Sequence, residues 1–176
     1  MKVRIFDGMT SEEAAEYLAE FLAFGRNKVA HILEEKLHFT TDLDFKIENL
    51  SAILKALIPN LKTVTRSPDS SVPEFIRNTE DYHKGLFDFD DESNIVLLAA
   101  AYYLGETFVK AFPHLKWSTG NVDYLQANSP VVTGFRYNKE LPVILVAENI
   151  FSSIISGTRQ EESVDSVIEA WSTKFI

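Results

Sequence analysis

Residues 86–94 read LFDFDDESN and set four carboxylates, Asp88, Asp90, Asp91 and Glu92, beside two phenylalanines with no basic side chain among them. Acids at alternate positions suggest a calcium loop. Such a loop needs a glycine at its sixth position, for the sharp turn, and a bidentate acid at its twelfth. Counted from Asp88, those positions are Ser93 and Ala99, so the pattern fails. The same acids suit a helix start. Asp90 or Asp91 caps the first orphaned amides, and the neighbouring carboxylates complement the positive end of the helix dipole. Acids in a first turn point outward, so capping leaves carboxylates free for a partner.

Other chemistry finds less support. The four histidines, at 31, 38, 83 and 114, are scattered. His31 stands one helical turn from Glu34 and Glu35, which offers part of a metal site only if another segment supplies more ligands. Solvated helix-face residues are the better reading, and no metal or cofactor is expected. Neither a G-x-S-x-G elbow nor a Gly-rich phosphate loop occurs. Ser152, Ser153 and Ser156 fall in an apolar helical pattern, where hydroxyls bond back to carbonyls. A pair of carboxylates meeting in three dimensions for glycoside chemistry stays open without a motif to favour it. No catalytic residue is assigned.

YYLGE, at 102–106, is the other distinctive stretch. Tyr102 and Glu106 are one turn apart on a helix face, and Gly105 lets another element approach closely. A glutamate within an apolar helix requires a partner. Trp117, Asn121 or a backbone amide of the following hairpin can supply it. Tyr102, Glu106, Trp117 and Asn121 are thus either a pocket or, more in keeping with the surrounding apolar pattern, a hydrogen-bonded anchor.

These residues need elements to position them. KVRIF reads as a short strand ending at Asp7-Gly8. Thr10-Ser11-Glu12-Glu13 starts a helical region that runs to His38, interrupted near Gly25. A second helix is capped within Thr40–Asp42, carries Phe45, Ile47, Leu50, Ile53, Leu54, Leu57 and Ile58, and stops at Pro59-Asn60. LKTVTR has the β-branched alternation of a strand, SPDSSVP (67–73) is a loop suited to partner contact, and PEFIRN makes a helical turn. The run from 91 to 112 is apolar nearly all round, which predicts a central buried helix ended by Pro113. LKWSTGNVDYLQ and PVVTGFRY form an antiparallel hairpin over 115–137. Pro142 opens a buried helix that Gly157 caps, and Glu161 to Trp171 forms the last helix, with Val164, Val167, Ile168 and Trp171 on one face. The fold class is therefore α+β: one mostly helical domain with a small antiparallel sheet on the central helix. Its helical N-terminal part covers 1–66 and its remainder, after the loop, covers 74–176.

With 176 residues, 45% of them apolar, the chain can bury a core, and 13 phenylalanines supply much of its area. A net charge of −9 disfavours nucleic acid and anionic membranes and favours a basic protein partner. The absence of cysteine removes disulfides, thiolate metal sites and cysteine nucleophiles together. With neither a secretory signal nor an apolar run long enough for a bilayer, the expected compartment is the cytoplasm.

The helix ending in YLGE, the strand with LKW, then PVVTG and a further Pro-led helix resemble small acidic bacterial immunity proteins, the antidotes of polymorphic and contact-dependent toxin systems. The resemblance covers roughly 92–155 and transfers no catalytic residues. It implies a non-enzymatic module that neutralises a basic toxin domain by occluding it. The expected contact surface is Asp81, Phe87, Asp88, Phe89, Asp90, Asp91 and Glu92, an acidic rim beside aromatic anchors. The alternative is a small hydrolase or ligand-binding domain with a pocket near Glu106, Trp117 and Asn121. A structural subunit of a larger assembly is the third, blander option.

Overall fold

The computed structural model describes residues 6–37, 43–123 and 126–176. KVRI at 2–5, His38 and the Thr40–Asp42 cap therefore lie outside the described residues. The architecture is α+β, mostly helical, with two small antiparallel sheets.

Helix α1 (Ser11–Leu37) opens on a reciprocal cap. The Glu13 amide donates to Thr10 Oγ1 at 3.2 Å, and the Thr10 amide donates to Glu13 Oε2 at 2.8 Å. Ala14, Tyr17, Phe21, Gly25, Val29, Leu33 and Leu37 form its buried stripe. The expected interruption at Gly25 does not occur. Gly25 is buried in a continuous helix, and a Cβ there would stand 2.0 Å from Cδ2 of Tyr102. The residue serves close packing and does not break the helix.

Helix α2 (Ile47–Leu57) buries Leu50, Ile53, Leu54 and Leu57 and passes into a 3-10 turn at Ile58–Asn60. Phe45, expected within the helix, precedes it at φ 53°. Its ring packs 4.7 Å from that of Tyr103. Strand β1 (Thr63–Thr65) pairs antiparallel with β2 (Phe87–Phe89), Thr63 opposite Phe89 and Thr65 opposite Phe87. Between them, α3 (Glu74–Arg77) and α4 (Glu80–Lys84) carry no buried residue. The sequence reading anticipated α3 but neither α4 nor β2.

Helix α5 (Asp91–Ala111) is the centre of the fold. It buries residues on every side, from Ser93 and Val96 to Phe108, and packs against α1, α2 and the helix after the second sheet. The second sheet has the order β3 (Lys116–Thr119), β4 (Pro130–Thr133), β5 (Leu141–Pro142). Its hairpin strands are shorter than the sequence suggests. Gly134, at φ 106°, ends β4, and Arg136–Asn138 form a 3-10 turn with Tyr137 at φ 60°. Pro142 closes β5 before α6 (Val143–Ile155) begins. Gly157 follows at φ 71° and donates its amide to the Ile154 carbonyl at 3.0 Å, as a helix stop should. The last helix divides into α7 (Ser163–Glu169) and a π-helical turn, Ala170–Lys174. One hydrophobic cluster joins side chains of α1, α2, β2, α5, β4, α6 and α7.

Candidate functional site

The acidic stretch divides between a strand and a helix cap. Asp90 is the N-cap of α5, its Oδ1 accepting the Ser93 amide at 2.8 Å. That bond, foremost, holds its carboxyl below the usual range. Ser93 Oγ accepts the Lys62 amide at 2.7 Å and so ties the helix start to the residue before β1. Asn94 donates to the Phe89 carbonyl at 2.9 Å. A cap whose neighbours all hold a strand end is a firm platform.

Strand pairing decides what the stretch displays. Side chains alternate along β2, so Phe87 and Phe89 share one face and Asp88 takes the other. Phe89 is only 8% exposed, which corrects its assignment as a surface anchor: the alternation turns it into the core. Phe87 is half-buried against that core. The carboxylates also meet cations from distant segments. Arg66 Nη1 reaches Asp88 Oδ1 at 3.2 Å, and Arg66 Nη2 donates to the Gly85 carbonyl at 3.5 Å. Glu92 pairs with Lys36 and, at 3.9 Å, with Lys62. The hydrogen bond from Lys36 is the main reason its carboxyl lies low. Asp81 and Asp91 remain exposed and without an ion pair among the described residues.

A cleft of about 520 Å³ opens between β2 and α6. Asp88, Phe87 and Arg66 stand on one side, with Glu148, Asn149 and Ser152 on the other. The Glu148 carboxyl is pushed upward, chiefly because the cleft walls partly desolvate it, although its side chain still reaches solvent, and next because the Asp88 charge faces it. Arg66 acts in the opposite direction. Ser153 and Ser156 spend their hydroxyls on backbone carbonyls, at 3.0 and 3.2 Å, as the apolar helical pattern led one to expect, whereas the Ser152 hydroxyl, expected to do the same, makes no such bond among the described residues. A second cleft, of about 540 Å³, adjoins the first through Asn149, Ser153 and Thr158 and ends at Val167 and Trp171.

Tyr102, Glu106 and Trp117 come together, whereas Asn121 stands apart. Trp117 Nε1 donates to Glu106 Oε2 at 3.1 Å, and Lys110 lies 3.8 Å from Glu106 Oε1. The Trp117 ring stacks on Tyr102 with centroids 5.9 Å apart and meets Phe21 edge-on at 5.7 Å. Gly105 makes room for it: a Cβ there would lie 2.1 Å from Cη2 of Trp117. Burial first, and then the Glu106 charge, push the Tyr102 hydroxyl up to about 12. Glu106 thus has the anchoring partner its position demands. Asn121 instead receives the Asp123 amide on its side chain at 3.0 Å and donates its own amide to Glu140 at 3.0 Å.

Among the described residues no group of three His, Asp or Glu side chains is gathered that could hold a metal ion, and no helix is long and apolar enough to cross a membrane. Arg66, Glu148, Asn149 and Ser152 were missed as site residues. The available signal was the polar pair Glu148-Asn149 interrupting the apolar run PVILVAENIFSSII. Phe75 was missed too, although the loop beside it was noted for partner contact. It is 75% exposed, between Glu74 and the partly exposed Ile76. Comparison with family models, curated proteins and solved structures gives no match for this chain.

Proposed function

We propose that the chain is a non-enzymatic module that binds a basic protein, and more specifically an immunity-type protein that occludes a basic toxin domain in the cytoplasm. The observation that carries this reading is Phe75, an aromatic side chain 75% exposed on a segment with no buried residue. Folding gives no reason to hold a phenylalanine in water, whereas an interface does: aromatic anchors surrounded by polar groups are where binding energy concentrates. Glu74 and Asp81 lie on the same excursion, Glu80 being paired with Lys84 at 2.8 Å, and Asp91 stands exposed at the start of α5. Together with a net charge of −9, these acids steer a cationic partner toward that face.

The contact surface in this reading is narrower than the acidic stretch alone suggested. Phe75 replaces Phe89 as anchor, and Asp81 and Asp91 contribute more than Asp88 and Glu92, whose charges Arg66 and Lys36 offset. The rival, a hydrolase or ligand-binding domain centred on Glu106, draws no support from a carboxylate already held by Trp117 and Lys110.

The test uses the full chain and the product of the gene adjacent to its own. Binding should weaken as salt rises. It should fall at least tenfold in Phe75→Ser and in the double charge reversal Asp81→Lys, Asp91→Lys. Co-expression should also protect cells from that product. A neighbouring product that neither binds nor is neutralised overturns the proposal, as does binding that ignores both salt and these substitutions.

A further inference from the structure

The cleft between β2 and α6 presents solvent-reaching polar groups that no other described side chain engages. Glu148, Asn149 and Ser152 lie within one turn of α6, and none of the three side chains has a hydrogen bond or ion pair among the described residues. Their neighbours Ser153, Ser156 and Thr158 are satisfied, each donating to a backbone carbonyl. On the opposite wall, Asp88 already holds a guanidinium. Arg66 meets its carboxylate at 3.2 Å and the Gly85 carbonyl at 3.5 Å, a carboxylate and a carbonyl serving one planar cation. Phe87 contributes an apolar flank.

Charge decides what the empty side of the cleft accepts. Two carboxylates, Asp88 and Glu148, face it against the single cation Arg66, which is already engaged. An anion would meet both acids without compensation. A neutral polyol would satisfy the amide and hydroxyl but leave Glu148 unneutralised beside Asp88. A guanidinium satisfies all of them, with N–H groups for Glu148, for the Asn149 and Ser152 oxygens and for the free lone pairs of Asp88. The volume, about 520 Å³, admits an arginine side chain and part of the backbone that bears it.

We propose that this cleft seats an arginine side chain of the basic partner, held between Asp88 and Glu148 and flanked by Phe87. The assignment rests on the proposed function and deepens it, naming where one cation of the partner enters. Arg66 and Gly85, which line the cleft, also bound the excursion that carries Phe75, so a single partner surface spans both. The upward shift of the Glu148 carboxyl accords with this, since a carboxylate partly desolvated on the cleft wall and facing the Asp88 charge gains from an incoming cation.

The experiment is amide NMR on the full chain at low salt, titrated with N-acetyl-arginine methylamide. N-acetyl-norleucine methylamide and glucose serve as the neutral comparators. The arginine probe should move the amides of Gly85, Glu148, Asn149 and Ser152, and the comparators should not. Glu148→Gln keeps the shape of an exposed side chain and should weaken the probe roughly tenfold, the loss of one charge-assisted hydrogen bond. Asp88→Asn should weaken it also, while Phe75→Ser should not. Silence toward the arginine probe, an equal response to either comparator, or unaltered affinity in Glu148→Gln overturns the assignment. If Glu148→Gln then binds the basic partner with undiminished, salt-sensitive affinity, the cleft assignment fails and the proposed function stands. A chain that takes the arginine probe at the cleft but binds no basic partner overturns the proposed function instead.

Discussion

Replacing Gly105 by alanine tests the packing at the heart of the molecule, because two effects of opposite sign compete there. In an isolated helix the change is favourable by about 1 kcal/mol, since glycine carries the larger backbone entropy cost. In this fold the new Cβ would lie 2.1 Å from Cη2, 2.6 Å from Cζ2 and 2.9 Å from Cζ3 of Trp117. The ring cannot swing aside cheaply. Tyr102 stacks on it, Phe21 meets its edge, and its Nε1–H is engaged by Glu106. Overpacking a fixed site costs about 1–3 kcal/mol. Displacing the ring also loses a hydrogen bond to a charged group, roughly 1.5 kcal/mol at the lower end of the range because Glu106 keeps some contact with water and with Lys110. The net expectation is a loss of about 1.5–3.5 kcal/mol. Urea unfolding followed by far-UV circular dichroism measures it, and each kcal/mol lowers Tm by about 2–4 °C in a chain of this size. The decisive arm is the same substitution in a Trp117→Leu background. There the clashing ring is gone, and Gly105→Ala should become neutral or stabilising by up to about 1 kcal/mol. A single substitution that stabilises, or a loss unchanged by Trp117→Leu, refutes the reasoning.

Two further outcomes concern the acids. Asp90→Ala removes the cap of α5 and should lower Tm. The Asp90 carboxyl sits below its unfolded value, so its contribution is present above the ordinary carboxylate range and lost as pH falls through the lowered folded value; the acid limb of stability against pH should flatten in Asp90→Ala. Glu148 has the reverse sign. Its folded pKa is raised, so the folded state holds the proton more tightly. Its contribution is full below the ordinary glutamate value and is lost as pH rises through the raised one. Carboxyl NMR titration should find Glu148 above the ordinary range, and Glu148→Gln should remove that segment of the pH dependence. A Glu148 that titrates at or below the ordinary value contradicts the account.

What could be read from the sequence was local in origin. The Asp90 cap, the apolar run of α5 and the Gly157 stop depend on residues within a few positions of one another, and the structure has all three. That Glu106 needs a nearby partner was legible, because a glutamate in an apolar helix must be satisfied somewhere, but Trp117 was only one of three candidates and the folded chain selects it. The misreadings came from tertiary packing. Gly25 looks like a helix breaker until Tyr102 of another helix is seen to fill the space a Cβ would need. Phe89 looks like an exposed anchor until pairing with Thr63 turns its side chain inward. Asp88 and Glu92 look like free charges until Arg66 and Lys36, 22 and 56 positions away, come beside them. The cleft escaped for the same reason, because β2 and α6 meet only in the folded chain.

The excursion between β1 and β2 has a consequence for how this molecule can change. Its two ends are held together by the Arg66 amide donating to the Leu86 carbonyl at 3.0 Å, and between them no residue from 67 to 85 is buried. Replacing that whole stretch with a short turn would close the β1–β2 hairpin and leave every member of the hydrophobic cluster in place. In the proposed reading, the part of recognition that Phe75 and Asp81 supply therefore rests on residues the core does not use. On that reading, a lineage can rewrite the excursion to follow a changing partner while the helices beneath it, under constraints of their own, remain as they are.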